Sequence, residues 1–143
     1  MSRALLDVNV LLALLDSDHV DHLRVHEWIE DGLVDGWASC AITENGFVRI
    51  VSQPRYPSPI SPTRAIEVLR AAQDSGDHDF WPCDVSVLDP AVIDRRRLQG
   101  PKQVTNAYLL ALATVRDAAF VTFDRALGLA SVPQASDANL IVL

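Results

Sequence analysis

The sequence predicts an α/β sandwich built around a mostly parallel sheet. Short apolar runs with the composition of strands alternate along the chain with longer helix-forming segments, a pattern typical of strands joined by crossover helices. The chain shows no internal repeat and no linker-like stretch. We expect one domain over residues 1–143, because single domains peak at about 100–150 residues.

Five short apolar runs predict the strands. The first and fourth runs end directly on an aspartate, Asp7 and Asp124, and the third is expected at the edge of the sheet. In chain order the predicted strands cover residues 4–6, 37–41, 79–82, 118–123 and 140–142.

The segments between these runs predict helices. The clearest follows Gly100-Pro101, where apolar residues from Val104 to Val115 keep helical spacing over three turns. Another begins after Ser61, a good N-cap residue with proline at the first helical position. The predicted helices cover residues 8–15, 19–36, 43–51, 62–76, 89–97 and 104–115, and the proline-rich residues 53–62 are expected to form an ordered, extended loop.

The composition excludes several classes of protein. Hydrophobic residues make up 49% of the chain and charged residues 22%, which is typical of a globular domain and excludes a disordered chain. Nineteen acidic and twelve basic residues give a net charge of −7, so any nucleic-acid binding requires a local basic patch or bound cations. We expect no signal peptide, because an acid follows early at position 7, and no membrane span, so a cytoplasmic protein is predicted.

Three acids stand where a predicted strand gives way to a helix: Asp7, Glu44 and Asp124. Strand carboxyl ends meet at one edge of an open parallel sheet, so these carboxylates converge if the strands are neighbours. Converging carboxylates repel one another unless protons or a cation intervene, and hard oxygen ligands suit Mg²⁺ or Mn²⁺. The competing interpretation is that each acid caps a helix, since aspartate is a common N-cap.

Four segments in order resemble the PIN-domain ribonucleases, and more narrowly the VapC-type toxins of bacterial toxin–antitoxin pairs. The resemblance covers nearly the whole chain and includes a proline loop around Arg55. The segments that carry it are Leu5-Leu6-Asp7-Val8-Asn9-Val10-Leu11-Leu12, Thr43-Glu44-Asn45-Gly46-Phe47-Val48-Arg49, Val104-Thr105-Asn106-Ala107-Tyr108-Leu109-Leu110-Ala111-Leu112-Ala113 and Val121-Thr122-Phe123-Asp124-Arg125.

The resemblance implies a three-layer α/β/α fold and an acidic Mg²⁺ or Mn²⁺ site that hydrolyses RNA to products with a 5′-phosphate and a 3′-hydroxyl. It assigns Asp7 and Asp124 as the principal metal ligands, and Glu44 as a ligand or as a residue that orients the attacking water. It also implies a homodimer, a small antitoxin protein as partner, and transfer RNA as a plausible substrate. Asn9 matches a polar residue beside the first aspartate, Thr122 matches a hydroxyl residue of the last motif, and both are expected to contact the substrate.

Asn106 departs from the family pattern, which usually has an acid at this position. An amide keeps an oxygen that can ligate a metal but loses the charge, so Asn106 is expected to be a weak or water-mediated ligand. The sequence is compatible with a natural asparagine and with an inactivating substitution. The alternative function is a catalytically weak PIN-like module that binds RNA or protein.

Several other residues have a functional and a plain interpretation. His19, His22 and His26 share one face of a predicted helix and have the spacing of zinc ligands, but no fourth ligand is indicated and solvated surface histidines are expected. Arg125 follows an acid of the site and is expected to contact RNA or form an ion pair, while Arg55 is placed to contact substrate or partner. The run of arginines at 95–97 fits either phosphate contacts or cations at a helix end.

Two other enzyme classes fit the sequence less well. Asp7-Val8-Asn9 is similar to the nucleophile motif of haloacid-dehalogenase-type phosphotransferases, but the only lysine, Lys102, lacks the expected place near a later acidic pair. No glycine-rich Walker loop is present, which excludes a P-loop nucleotidase.

Overall fold

The computed structural model describes residues 3–32 and 35–143 of the 143-residue chain. Its centre is a five-stranded sheet in the order β3-β2-β1-β4-β5, with every neighbouring pair parallel. The strands are β1 (Ala4–Leu6), β2 (Trp37–Cys40), β3 (His78–Trp81), β4 (Ala119–Thr122) and β5 (Leu140–Val142). All five predicted strands are therefore present, with β3 at the edge as expected.

Within the described ranges, five α-helices connect and cover these strands, as expected for parallel pairs that need crossover connections. They are α1 (Val8–Leu15), α2 (His22–Gly32), α3 (Ala41–Val51), α4 (Pro62–Ser75) and α5 (Pro101–Val115). Two short 3₁₀ helices lie at Arg95–Arg97 and Asp137–Asn139. No helix in the described part of the chain is long and apolar enough to cross a membrane.

The sheet separates two hydrophobic cores because successive strand residues point to opposite faces. On one face Leu5 and Phe120 pack against α5, and on the other Leu6 and Val121 pack with α1, α3 and α4. These side chains are fully or almost fully buried. The arrangement is the three-layer α/β/α sandwich that the resemblance implies.

The strand order has one topological switch point. From β1 the chain runs outward through β2 to β3, and later crosses back to place β4 on the other side of β1. In open parallel sheets, ligands bind at the carboxyl ends of the strands where the order reverses. Asp7 follows β1 and Asp124 lies two residues after β4, so the fold places both at this point.

Two predicted helix starts were wrong. Helix α3 begins at Ala41, which was predicted to end a strand, because the Thr43 side chain caps the Cys40 N–H at 3.0 Å. Helix α2, described over His22–Gly32, begins later than the predicted residue 19 because residues 17–21 form turns and a bend. Residues 33–34 of the predicted helix lie outside the described residues.

The predicted helix over residues 89–97 is instead a series of turns that ends in the 3₁₀ helix Arg95–Arg97. The Asp89 and Asp94 carboxylates accept hydrogen bonds from the backbone N–H groups of Ala91 and Arg96, at 2.9 and 3.1 Å. Aspartates that bond the backbone two residues ahead favour turns over a continuous helix. By contrast, the predicted cap of α4 is confirmed: the Ser61 hydroxyl accepts the Arg64 N–H at 3.1 Å.

Candidate active site

Asp7 occupies the junction between β1 and α1. It is the N-cap of α1, and its Oδ1 accepts the Val8 N–H at 2.8 Å. The side chain is 6% exposed, and its second oxygen, Oδ2, accepts the Thr122 hydroxyl at 2.6 Å. Burial raises the pKa of Asp7 above its ordinary value, although these two hydrogen bonds act in the opposite direction.

Thr122 is the centre of the cluster formed by the predicted site residues. Besides donating to Asp7, its buried hydroxyl oxygen accepts the Asp124 N–H at 3.0 Å. The Asn9 amide lies 3.5 Å from the same oxygen, and the Asn9 carbonyl oxygen accepts the Phe123 N–H at 3.4 Å. Thr122, the last residue of β4, therefore fixes the position of Asp7 relative to Asp124.

Asp124 lies beside Asn106 on α5. The Asn106 amide donates to Asp124 Oδ2 at 2.8 Å, and the other oxygen, Oδ1, accepts the Ala126 N–H at 2.9 Å. Asn106 is the sixth residue of α5, in its second turn rather than at its start. The residue that departs from the family pattern is therefore in direct contact with the second aspartate.

Asp124 is close enough to Asp7 to affect the ionisation of the Asp7 carboxyl. Asp124 contributes to the raised pKa of Asp7, because two nearby negative charges destabilise each other. A divalent cation between them would remove this repulsion, and their oxygens are ligands that Mg²⁺ and Mn²⁺ prefer. The donor set of Asp7, Asp124 and the Asn106 carbonyl oxygen therefore fits such an ion.

Glu44 forms a second polar cluster with other partners. Its Oε2 accepts the Ser39 hydroxyl at 2.6 Å and the Gln73 amide at 2.8 Å. The His78 Nε2 lies 2.8 Å from the Ser39 oxygen, and since the Ser39 proton is donated to Glu44, the His78 N–H is the donor in that bond. Burial lowers the pKa of His78, which favours the neutral ring.

The two clusters are joined by packing of α1 against α3. A Cβ added at Gly46 would lie 2.6 Å from the Val8 side chain, so glycine permits this close approach beside Asp7. Within residues 3–32 and 35–143, no three His, Cys, Asp or Glu side chains are grouped closely enough to hold one metal ion together. The structure thus brings Asp7, Asp124 and Asn106 together and leaves the Glu44 carboxylate bonded to Ser39 and Gln73.

Ser39, Gln73 and His78 were not identified by the sequence analysis. A serine inside an otherwise apolar strand was the one available signal, because a buried hydroxyl needs a partner. Gln73 gave no signal, because it lies 29 residues from Glu44 on a separate helix.

The predicted basic residues differ in their surroundings. Arg125 and Arg55 are exposed, and in the part of the chain that the structure describes neither has a carboxylate within 4 Å. Arg96 and Arg97 lie 3.6 and 3.7 Å from Asp94, so two of the three clustered arginines form ion pairs.

His22 and His26 have a structural role that the sequence analysis did not predict. The His22 Nδ1 lies 2.8 Å from the Ala13 carbonyl oxygen, and the His26 Nε2 lies 3.1 Å from that of Leu14. Because a carbonyl oxygen can only accept, His22 Nδ1 and His26 Nε2 are each the donor in their hydrogen bond. The two oxygens belong to the last turn of α1 and lack intrahelical partners. The two histidines therefore cap α1 rather than being simply solvated.

Comparisons with known proteins agree with this architecture. The PIN domain family model matches residues 4–132. The chain is 62% identical over 141 residues to Ribonuclease VapC44 of Mycobacterium tuberculosis (strain ATCC 25618 / H37Rv), covering 99% of both chains. It is 44% identical over 122 residues to Ribonuclease VapC38 of the same strain, covering 85% of this chain and 84% of that one. The chain therefore belongs to the PIN-domain family and, within it, to the VapC ribonucleases.

A solved structure shows the same fold at low sequence identity. The crystal structure of VapBC2 from Rickettsia felis, bound to a DNA fragment from its promoter, gives a TM-score of 0.60 at 10% identity. The match covers 98% of both chains. At this identity the likeness supports the α/β/α architecture and nothing finer.

Proposed function

We propose that this chain is a Mg²⁺- or Mn²⁺-dependent endoribonuclease that acts as the toxin of a type II toxin–antitoxin pair. The observation that carries the proposal is the pair of aspartates, Asp7 and Asp124, joined through Thr122 at the switch point of the sheet. Membership in the VapC ribonucleases supports RNA as the substrate class. It also disfavours the alternative of a weak binding module.

Asp7 and Asp124 would hold the metal ion directly. The Asn106 side chain would offer its carbonyl oxygen, either directly or through water, and Glu44 would act through a water molecule from its position beside Ser39 and Gln73. When bound, a divalent cation lowers the pKa of a water molecule and offsets the negative charge that develops on the phosphodiester.

The side chains around the aspartates supply orientation. The Thr122 hydroxyl holds Asp7 Oδ2, and the Val8 N–H holds Oδ1, so the Asp7 carboxylate has one fixed direction. Asn9 supports the backbone after β4, which carries Asp124. In-line attack of water on phosphorus would then release products with a 5′-phosphate and a 3′-hydroxyl.

Substrate, partners and location are also part of the proposal. Exposed Arg125, one residue after Asp124, is placed to contact a phosphate next to the scissile bond, and Arg55 is a second candidate contact. The substrate is an RNA, with transfer RNA as the first candidate. The partner is an antitoxin protein, the assembly is a homodimer, and the location is the cytoplasm.

The proposal is tested by expressing the chain without its antitoxin and sequencing the 5′ ends of cellular RNAs. New 5′-phosphate ends at defined sites are expected, together with cleavage in vitro that needs added Mn²⁺ or Mg²⁺. The matched control is Asp7→Asn, which should produce no new ends. Cleavage that continues undiminished in EDTA, or that Asp7→Asn leaves intact, contradicts the proposed site.

A further inference from the structure

We propose that the groove between α3 and α4 binds the RNA substrate as a single strand, with Arg49 and Arg70 contacting its phosphates. This inference rests on the proposed ribonuclease function and assigns a substrate path to it. The groove has a volume of about 580 Å³ and contains Glu44 and Gln73 together with the two arginines.

The two helices run antiparallel, which sets the order of residues along the groove. The start of α3 lies beside the end of α4, since Gln73 bonds Glu44, and the Ile60 N–H bonds the Val51 carbonyl at the opposite end. With a rise of about 1.5 Å per residue, Arg49 lies about 7.5 Å beyond Glu44 along α3, and Arg70 about 4.5 Å beyond Gln73 along α4. Both arginines therefore lie on the same side of the Glu44–Gln73 contact and within a few ångströms of each other along the groove.

The charge environment of these arginines favours an anion from outside the chain. Among residues 3–32 and 35–143, neither Arg49 nor Arg70 has a carboxylate oxygen within 4 Å, whereas Arg64 on the same helix pairs with Glu67 at 3.2 Å. Acids outnumber bases nineteen to twelve in this chain, so carboxylate partners are plentiful elsewhere. Two exposed, unpaired guanidinium groups at one groove are complementary to the phosphates of a polynucleotide.

The remaining lining of the groove suits the other parts of a nucleotide. Val48, Ile66 and Leu69 also line the groove, and Ile66 is 50% exposed. This apolar surface can contact the faces of bases or ribose, while Glu44 at one end belongs to the proposed active site. A strand that lies in the groove is therefore directed toward the catalytic residues.

The test measures binding of a fluorescein-labelled, mixed-sequence single-stranded RNA of about 20 nucleotides by fluorescence anisotropy. EDTA is present throughout, and the potassium chloride concentration is varied. For single strands the slope of log K against log salt changes by about 0.7 for each phosphate that the protein no longer neutralises. We expect the double variant Arg49→Ala/Arg70→Ala to bind at least about tenfold more weakly at low salt, with a slope reduced in magnitude by about 1.4. The single variant Arg70→Lys, which keeps the charge, should retain most of the salt slope of the unmodified chain.

The matched control is Arg64→Ala, which removes an exposed arginine from the same helix but outside the groove. It should change the affinity less than twofold and leave the slope unchanged. The proposal is overturned if the double variant behaves like Arg64→Ala, or if its slope equals that of the unmodified chain. Binding of the unmodified chain weaker than about 100 µM at low salt also overturns it, since that is the weak limit of non-specific binding.

Further outcomes distinguish an RNA-binding groove from a protein interface, and failure of the groove proposal from failure of the ribonuclease proposal. If the double variant keeps its RNA affinity but no longer binds its antitoxin, or changes its oligomeric state in sedimentation, the groove is a protein interface and the RNA path is wrong. Because binding is measured in EDTA, its result does not depend on cleavage. If the chain cleaves RNA with Mn²⁺ but the double variant binds RNA as well as the unmodified chain, only the proposed binding of RNA in the groove is refuted. A chain that binds RNA through them but never cleaves refutes the ribonuclease proposal.

Discussion

Replacing Asn106 with aspartate is the substitution for which the structure makes the most specific prediction. The Asn106 amide donates to Asp124 at 2.8 Å, so the change removes a hydrogen bond to a carboxylate and adds a negative charge beside it. A hydrogen bond to a charged group contributes about 1.5–3 kcal/mol. The new repulsion, for charges about 5 Å apart at an effective dielectric constant near 20, is about 3 kcal/mol before the side chains adjust.

Both side chains are half-buried, so rotation toward solvent recovers part of this loss. Helix-dipole stabilisation offsets little of it, because position 106 is in the second turn of α5 and the dipole effect fades beyond the first. We expect Asn106→Asp to lower the free energy of unfolding in EDTA at pH 7 by about 2 kcal/mol. For a chain of this size that corresponds to a fall in Tm of about 6–8 °C.

The assay is thermal unfolding in EDTA and in saturating Mn²⁺, at pH 4 and pH 7. At pH 4 the difference in unfolding free energy between Asn106→Asp and the unmodified chain should shrink, because the new carboxylate and that of Asp124 can share a proton. In Mn²⁺ the variant should gain more Tm than the unmodified chain, and its cleavage at limiting metal should be faster. The control, Thr105→Asp, adds the same charge at the exposed neighbouring position of α5. An Asn106→Asp protein as stable in EDTA as Thr105→Asp would refute the reasoning.

Three further predictions concern the same region. Asp7→Asn should abolish metal-dependent cleavage. Because the pKa of Asp7 is raised in the folded state, ionisation of its carboxyl costs stability from the ordinary pKa of 3.8 upward, and the cost stops growing above the raised pKa. The variant should therefore gain stability relative to the unmodified chain as the pH rises above about 4 in urea titrations, and a relative loss would contradict this. Mn²⁺ at about 100 times its Kd should raise the unfolding free energy by about 2.7 kcal/mol, and Asp124→Asn should remove most of that gain in calorimetry. Gln73→Ala should lower the free energy of unfolding by about 1–2 kcal/mol in chemical denaturation, because it removes a hydrogen-bond donor to Glu44. The control Gln134→Ala, which loses only an exposed 3.3 Å hydrogen bond, should lower it by less than about 0.5 kcal/mol. Equal losses would show that the Gln73–Glu44 hydrogen bond contributes nothing to stability.

The positions of the two aspartates were predictable because local and global signals agree there. Each directly follows a buried apolar run, and a charge at such a point is costly unless it has a partner. The parallel sheet then brings the ends of β1 and β4 together, so strand adjacency alone predicts that Asp7 and Asp124 meet. Thr122, which was expected to contact the substrate, is buried between them and bonds to both, and this orienting role was not predicted.

The surroundings of Glu44 were not predictable by the same reasoning. Strand order places the start of α3 at the correct edge of the sheet, but the direction of a carboxylate depends on donors far away in sequence, here Ser39 and Gln73. The histidines of α2 show the same limit. Their spacing predicts a shared helix face, yet their partners are carbonyl oxygens at the end of α1, whose location depends on tertiary packing.

In the proposed metal site, residue 106 would set a balance between stability without metal and affinity for metal. Each of the two aspartates has two hydrogen-bond donors in the metal-free protein: Val8 N–H and Thr122 for Asp7, and Ala126 N–H and the Asn106 amide for Asp124. The amide at position 106 is the donor that an aspartate there cannot supply when ionised. A family member with the acid has one donor fewer and one negative charge more, so its folded state depends more on a cation. In the proposed site, the asparagine of this chain would therefore favour a fold that is stable before metal binds, at the expense of the affinity for metal.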